Sequence, residues 1–451
     1  MWGMKLTCYG GVEEVTGANY ILEHEGTTLM IDCGLQQRGH YSEKNNWGPF
    51  SYDVTKINAV LITHAHIDHV GRLPKLMKEG FHGRVYSTFP TKDFASILLA
   101  DSEHILLKEA EREKKEPLYT LADIEKIVDR WEGVAYHQEV KIGPFVVTFY
   151  NAAHILGSSI IVIEADGTRI AFSGDLGNSP APIIGKSEIP DDIDYCVIEA
   201  TYGDRLHPKE NTTGIIENII EETAKAGGTL MIPAFAMERT QKLLFEIDEL
   251  MRNGRVPMIP VFLDSKLAIK ITETYKKYRG YFDRETLNIL KQDLTLFDFP
   301  TLKKTISKEE SRAINDVPAP KIIIAGSGMS HGGRILHHEK RYLPDPKSTI
   351  ILVGYQGENS LGRQILNREP TVRIHGEEVA VRCRVVNVPG YSAHADQEQL
   401  LAWLHPLRLQ LKKVFVVQGE KNPSAILAQK IINDLAVKAE VPELGKAYEI
   451  I

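Results

Sequence analysis

Thr63-His64-Ala65-His66-Ile67-Asp68-His69 follows directly on the apolar run Ala59-Val60-Leu61-Ile62, and its reading governs the rest of the chain. Three imidazoles and a carboxylate packed this closely make a poor core. Each would need its own buried partner, and a strand end does not supply four of them. At the carboxyl end of a strand the same side chains can converge on cations. His64 and His66 then serve one ion, while Asp68 and His69 turn toward a second. Nitrogen and carboxylate donors without cysteine suit Zn²⁺ in an open catalytic site.

More donors stand at strand ends downstream. His154 lies in Asn151-Ala-Ala-His-Ile-Leu-Gly157 and Asp175 in Phe172-Ser-Gly-Asp-Leu-Gly177. The surrounding pattern is one of short β-rich runs. Ile21-Leu22, Thr28–Asp32, Ala59–Thr63, Val146–Tyr150, Ser159–Glu164, Arg169–Ser173 and Tyr195–Glu199 read as strands, and Asp93–Lys115 as an amphipathic helix. From about residue 206 the rhythm becomes βαβ. A helix over Gly214–Lys225 leads to the run Gly228–Pro233, followed by a helix from Met237 to Arg252. Continuous apolar runs come next at Pro257–Asp264, Lys321–Gly326 and Thr349–Gly354. Such runs mark a parallel sheet covered on both faces. After about 370 the short-strand pattern returns, and Asp396–Leu404 and Ser424–Val437 read as closing helices. One domain (1–205 with 371–451) is therefore interrupted by another (206–370).

The order of these motifs resembles the metallo-β-lactamase superfamily: His-x-His-x-Asp-His, a loop histidine, then Ser-Gly-Asp, with Asp32 upstream in Ile31-Asp-Cys-Gly34. The resemblance implies an αββα sandwich and makes Asp32 an acid that orients the ligand loop without binding metal. Further features are similar to the β-CASP nucleases, which carry an inserted α/β domain. Glu199, in Val197-Ile-Glu-Ala-Thr-Tyr-Gly-Asp204, matches their acidic motif A, and the insert follows at once. His394, in Tyr391-Ser392-Ala393-His394-Ala395-Asp396, matches motif C, a histidine that completes the second metal site in RNA-acting members.

One position departs from the pattern. Gln364, in Leu361-Gly-Arg-Gln-Ile-Leu366, stands where relatives such as the endonuclease subunit of the pre-mRNA 3′-end cleavage factor carry the motif B histidine that pairs with the motif A acid. Glutamine cannot donate a proton in its place, so either His375, in Val372-Arg-Ile-His-Gly-Glu377, takes over as the acid or the leaving oxygen is protonated otherwise.

The insert also holds Gly326-Ser327-Gly328-Met329-Ser330-His331-Gly332-Gly333-Arg334 between an apolar run and an expected helix. Glycines let backbone N–H groups approach an anion, and a helix N-terminus favours phosphate there. With Ser392, residues Ser327, Gly328, Ser330, Gly332, Gly333 and Arg334 are the expected contacts to RNA phosphates.

The resemblance implies two Zn²⁺ per chain, held by His64, His66, Asp68, His69, His154, Asp175 and His394, with Asp68, Asp175, Glu199 and His375 in the chemistry. The implied activity is hydrolysis of phosphodiester bonds in single-stranded RNA by a metal-bridging hydroxide, endonucleolytic in RNA processing or decay. A 5′-to-3′ exoribonuclease of the same family is the alternative, followed by a non-nuclease metallohydrolase and an RNA-binding scaffold. The net charge of −7 does not advertise a nucleic-acid protein, but the region 206–370 is net basic within an acidic chain. Four scattered cysteines, Cys8, Cys33, Cys196 and Cys383, read as free thiols of a reducing compartment. No apolar run is long enough to span a membrane and the N-terminus does not read as a signal peptide, so the expected location is the cytoplasm. The sequence leaves a homo-oligomer and processing-complex partners equally open.

Overall fold

The computed structural model describes residues 3–37, 45–208, 211–292, 296–354, 356–357 and 360–451, and the chain forms two units. The first is Met1–Leu206 with His394–Ile451, and the second is His207–Ala393.

Two seven-stranded sheets face each other in the first unit. One contains β1 (Met4–Gly10), β2 (Asn19–His24), β3 (Thr27–Ile31), β4 (Ala59–Leu61), β5 (Arg84–Thr88) and β6 (Trp131–Val134), with the C-terminal strand β22 (Ala447–Ile450) on its edge. The other contains β7 (Glu139–Ile142), β8 (Phe145–Asn151), β9 (Ser159–Ala165), β10 (Thr168–Phe172) and β11 (Tyr195–Glu199), completed by β20 (Lys413–Val417) and β21 (Ala439–Glu440). Period-two alternation sends Leu6, Leu22, Leu29, Ile31 and Leu61 from the first sheet against Phe145, Val147, Phe149, Ile161, Phe172 and Phe415 from the second. The outer face of the second sheet is covered by helices Gln397–Leu404 and Lys421–Leu435, through Leu400, Trp403, Leu404, Leu427 and Ile431. With both faces buried, β9 is apolar over Ile160–Ile163 and β11 over Tyr195–Ile198. Helix Phe89–Glu113 packs on β5 and β6 of the first sheet, with helix Leu121–Asp129 against it and helix Leu73–Lys78 against that one in turn, so the unit is an αββα sandwich.

Strand direction is what places the functional residues. β10, β11 and β20 run parallel, while β8 and β10 each lie antiparallel to β9, so all four end at the same rim. β3 and β4 are likewise parallel.

The second unit is built on a six-stranded parallel sheet in the order β14-β13-β15-β12-β16-β19, formed by β12 (Thr229–Pro233), β13 (Val261–Asp264), β14 (Leu302–Lys304), β15 (Lys321–Ala325), β16 (Thr349–Val353) and β19 (Arg384–Val388). A hairpin of β17 (Thr371–Ile374) and β18 (Glu377–Ala380) forms its own two-stranded sheet and packs Val372, Ile374 and Val379 into one cluster with Met231, Ile350 and Leu352 of the larger sheet. This unit continues past the expected boundary at 370 because β19 adds to the sheet edge beside β16. All four cysteines are buried free thiols. No helix among the described residues is long and apolar enough to cross a membrane.

The loop carrying Asp68 is fixed by close backbone contact. Ala18 N–H donates to the Asp68 carbonyl and Cys33 N–H to that of His69. A Cβ on Gly34 would come within 1.5 Å of the Asp68 carbonyl oxygen. Gly34→Ala is therefore expected to cost about 1–3 kcal/mol or more, because neither backbone segment can yield freely. The variant should melt lower and retain less metal; an unchanged melting temperature would show that the loop is more compliant than its contacts imply.

Candidate metal centre

Each candidate ligand except His394 projects from a strand end. His64, His66, Asp68 and His69 follow β4, His154 follows β8, Asp175 follows β10, and Glu199 is the last residue of β11. Gly177 makes this convergence sterically feasible. A Cβ there would sit 1.8 Å from the Ala153 carbonyl oxygen, so a glycine lets the Asp175 loop lie against the His154 loop. His394 is drawn to the same rim by an isolated bridge to Gly177 and by the Ala395 N–H donating to the Leu176 carbonyl.

His64, His66, His154 and Asp175 offer ligand atoms that all lie within 4.8 Å of one another. The His66 Nδ1 is 3.1 Å from both His64 Nε2 and His154 Nε2. Asp175 Oδ2 is 3.4 Å from His64 Nε2 and 3.5 Å from His154 Nε2. Donors 2.0–2.1 Å from a tetrahedral ion stand about 3.3–3.4 Å apart, so these separations are close to the edges of a zinc-sized tetrahedron. Burial, reinforced by neighbouring imidazoles, holds His66 and His154 well below the ordinary imidazole range. Their lone pairs are thus free for an ion. Asp175 is held well below the usual carboxylate range, against the cost of its burial, by His69, His64 and His394. The donor set fits a divalent cation.

Asp68 and His69 lie beside this cluster. His69 Nε2 is 3.3 Å from Asp175 Oδ1 and 4.0 Å from Asp68 Oδ2. Burial raises the Asp68 carboxyl above its usual range. Asp32, fully buried, accepts from Thr63 N–H (2.8 Å), Thr63 Oγ1 (2.8 Å) and His69 Nδ1 (2.7 Å). That last bond leaves the His69 Nε2 lone pair facing the cluster. Asp175 and Asp32 pull His69 toward its charged form, against the effect of burial. The Gln418 Nε2 at 2.8 Å from His69 Nε2, however, requires the neutral ring, which is also the tautomer a cation needs.

Glu199 is fully buried, accepts from Leu176 N–H at 2.7 Å, and faces His394 Nδ1 with both oxygens at 3.2 and 3.3 Å. Asp175, Glu199 and His394 form a second group of convergent donors. The substitution at Gln364 had put the pairing of Glu199 with a histidine in question; here His394 fills that role. Burial opposes the charged form of His394, but Glu199 and Asp175 raise its pKa to about 9. Gln364 instead lies on the helix Leu361–Leu366 of the second unit. His375 is exposed at the turn between β17 and β18, its ring 4.9 Å from that of His337.

Two expected phosphate contacts serve the fold of the second unit. Arg334 donates to Asp264 Oδ1 (2.6 Å) and to the carbonyls of Thr305 (2.9 Å) and Ile306 (2.7 Å). Ser330 donates to the buried Glu339. Ser327 closes its own loop, its Oγ accepting from the N–H groups of His331 (3.0 Å) and Gly332 (3.3 Å). Gly332 has open space where a Cβ would be, and Gly333 has a φ of +79°. Gly328 packs on the Phe235 ring. Ser392 is buried.

Sequence reading passed over Gln418, which is buried at the end of β20 and donates to Asp175 Oδ1 at 3.1 Å. Its signal was present: a polar residue at the carboxyl end of an apolar strand with a glycine just beyond, as Gly34 stands just beyond Asp32.

Models of three families match the chain: a metallo-β-lactamase superfamily domain at residues 21–179, a Beta-Casp domain at 240–365, and a Zn-dependent metallo-hydrolase RNA specificity domain at 378–442. The chain is 37% identical to "Ribonuclease TTHA0252" of Thermus thermophilus over 93% of its own length and 94% of the relative's. It is 30% identical to an "RNase J-like protein" of Methanocaldococcus jannaschii over 99% of both. It is also 30% identical to "Transcription termination factor FttA" of Thermococcus kodakarensis, over 97% of this chain and 70% of that protein. A crystal structure of a protein of unknown function from Enterococcus faecalis shares the fold, with a TM-score of 0.60 at 12% identity, covering 99% of this chain and 100% of that one.

Asp32→Asn tests the orienting role of Asp32. An amide N–H facing His69 Nδ1 would move the ring proton to Nε2 and block the lone pair that faces the cluster. Cobalt binding at His69, followed by visible absorption, is expected to weaken about 10- to 100-fold while the fold is retained. Unaltered binding would remove Asp32 from the site.

Proposed function

The chain belongs to the β-CASP branch of the metallo-β-lactamase superfamily, and we propose that it is a metal-dependent ribonuclease that hydrolyses phosphodiester bonds of single-stranded RNA. The observation that carries this reading is the tetrahedron-like convergence of His64, His66, His154 and Asp175, in a chain that also matches an RNA specificity domain. The donor chemistry favours zinc, with one ion at this cluster and another served by Asp68, His69 and Asp175. Bound there, the two ions would lower the pKa of a water and offset charge building on the phosphate.

The chain's own groups complete the reaction. Asp68, whose side chain is 18% exposed at the cluster, accepts the proton of the attacking water. Attack at phosphorus in line with the 3′-oxygen breaks the P–O3′ bond, leaving a 5′-phosphate and a 3′-hydroxyl. His394, its Nδ1 held by Glu199, presents Nε2 and gives the 3′-oxygen its proton. The exposed Gly333, with Gly332 beside it, is the part of the Gly-rich loop left to meet RNA phosphates; binding there should weaken as salt rises. Cutting is proposed to be endonucleolytic.

Single-stranded RNA labelled at its 5′ end tests the whole reading. Asp68→Ala, loaded with zinc, is expected to lose about 10²–10⁴ in rate with its melting curve preserved. Cutting at the parental rate would refute the role of Asp68. Internal labelled fragments support endonucleolytic action, whereas release of mononucleotides assigns the exonucleolytic mode.

The proton donor is decided by comparing two variants. His394→Ala should lower turnover by about 10²-fold or more, and His375→Ala by much less than tenfold. The reverse order would return the role to His375.

A further inference from the structure

Gln418 occupies a place that the backbone around it over-determines. Its φ is +48°, an uncommon value for a residue other than glycine, and its side chain is buried. Its N–H donates to the Gly11 carbonyl at 2.6 Å, and its own carbonyl accepts from Thr201 Oγ1 at 3.2 Å. The next residue is a glycine on which a Cβ would lie 2.6 Å from the Ala200 carbonyl oxygen. Strand β20 is thus anchored so that the carboxamide enters the cluster.

There the Nε2 lies 2.8 Å from His69 Nε2 and 3.1 Å from Asp175 Oδ1, atoms that are themselves 3.3 Å apart. It stands where two donor atoms of the Asp68, His69 and Asp175 position converge. An amide N–H has no lone pair to offer a cation, and it satisfies both neighbours without one. For an ion to settle there, the amide has to withdraw or turn its oxygen inward. At the other position, all four groups, His64, His66, His154 and Asp175, can present lone pairs together.

We propose that Gln418 sets the two cation positions apart in affinity. The position of His64, His66, His154 and Asp175 holds its ion through purification, whereas the position of Asp68, His69 and Asp175 is capped by the Gln418 amide and fills only at high cation concentration. The inference rests on the metallohydrolase reading, and its consequence is that turnover follows the ambient concentration of the second ion.

The test uses the full chain, loaded with Zn²⁺, dialysed without chelator and assayed for metal by mass spectrometry, together with Co²⁺ titration of the metal-free protein. Wild type is expected to retain one ion and to bind a second Co²⁺ at least about tenfold more weakly than the first. Gln418→Glu keeps the shape but replaces the capping N–H with an anionic donor. It should retain two ions, and its metal-free form should melt below wild type, because a carboxylate then faces Asp175. Gln418→Ala carries the test should the charged variant fail to fold. Removing a cap tightens the second position, whereas removing a ligand loosens it. Two equally tight ions in wild type, or a weakened second site in Gln418→Ala, would overturn the inference and leave the metallohydrolase reading standing. Retention of no ion by wild type would overturn both.

Discussion

The carboxylate of Asp175 is the group around which the first unit is organised. It is only 3% exposed, and a charge at that depth is tolerated only with close partners. The fold provides them from the ends of β4, β8 and β20 and from the segment that carries His394. His64 and His154 approach one oxygen at 3.4 and 3.5 Å, His69 and Gln418 approach the other at 3.3 and 3.1 Å, and His394 stands 3.8 Å away. Most of these separations are long for hydrogen bonds and suit ligands that share an ion between them. A cluster with this geometry exists only because β8, β10, β11 and β20 all finish on one rim, and that follows from the strand pairing of the second sheet.

The loops at that rim are held by contacts that tolerate no added atoms. Gly34 lies against the Asp68 carbonyl and Gly177 against that of Ala153. Asp32 is tied to Thr63 and His69 on one side, and its carbonyl accepts from Asn19 Nδ2 on the other. Ligand geometry is thus set by backbone packing and by one buried acid. This kind of preorganisation holds first contacts to within a few tenths of an ångström.

The sequence made most of this legible wherever a chemically unusual side chain sat at a strand end. His64, His66, Asp68 and His69 need no structure to be noticed, and His154, Asp175 and Glu199 become noticeable once the period-two runs before them are read as strands. Gln418 sat in the same context and went unread, because glutamine is common on surfaces and carries no metal signature. The pairing of Glu199 with His394 joins residues nearly two hundred positions apart, a distance that local patterns do not span. The Gly-rich loop misled in the other direction. A glycine- and serine-rich turn before a helix looks alike whether its polar groups face a ligand or its own fold. Here Arg334 and Ser330 donate to the buried acids Asp264 and Glu339. The edge strand β19 was hidden as well, since Arg384 and Asn387 interrupt the apolar run that marked its neighbours.

Crowding so many titratable groups at one rim ties stability to protons in two opposing directions. His66 and His154 are depressed, so at neutral pH they impose no proton-linked cost. As pH falls below about 6.5 the unfolded chain takes up protons that the folded chain refuses, and stability is lost. His394, raised to about 9, acts in the opposite sense. Its contribution is complete below the ordinary imidazole value and disappears as pH climbs through about 9. A divalent cation changes both terms at once, because it takes the lone pairs of the depressed imidazoles and replaces protons as the countercharge to Asp175. Folding and metal binding in this unit are consequently one linked equilibrium, and the ion that supports the chemistry also neutralises the charge the fold has buried.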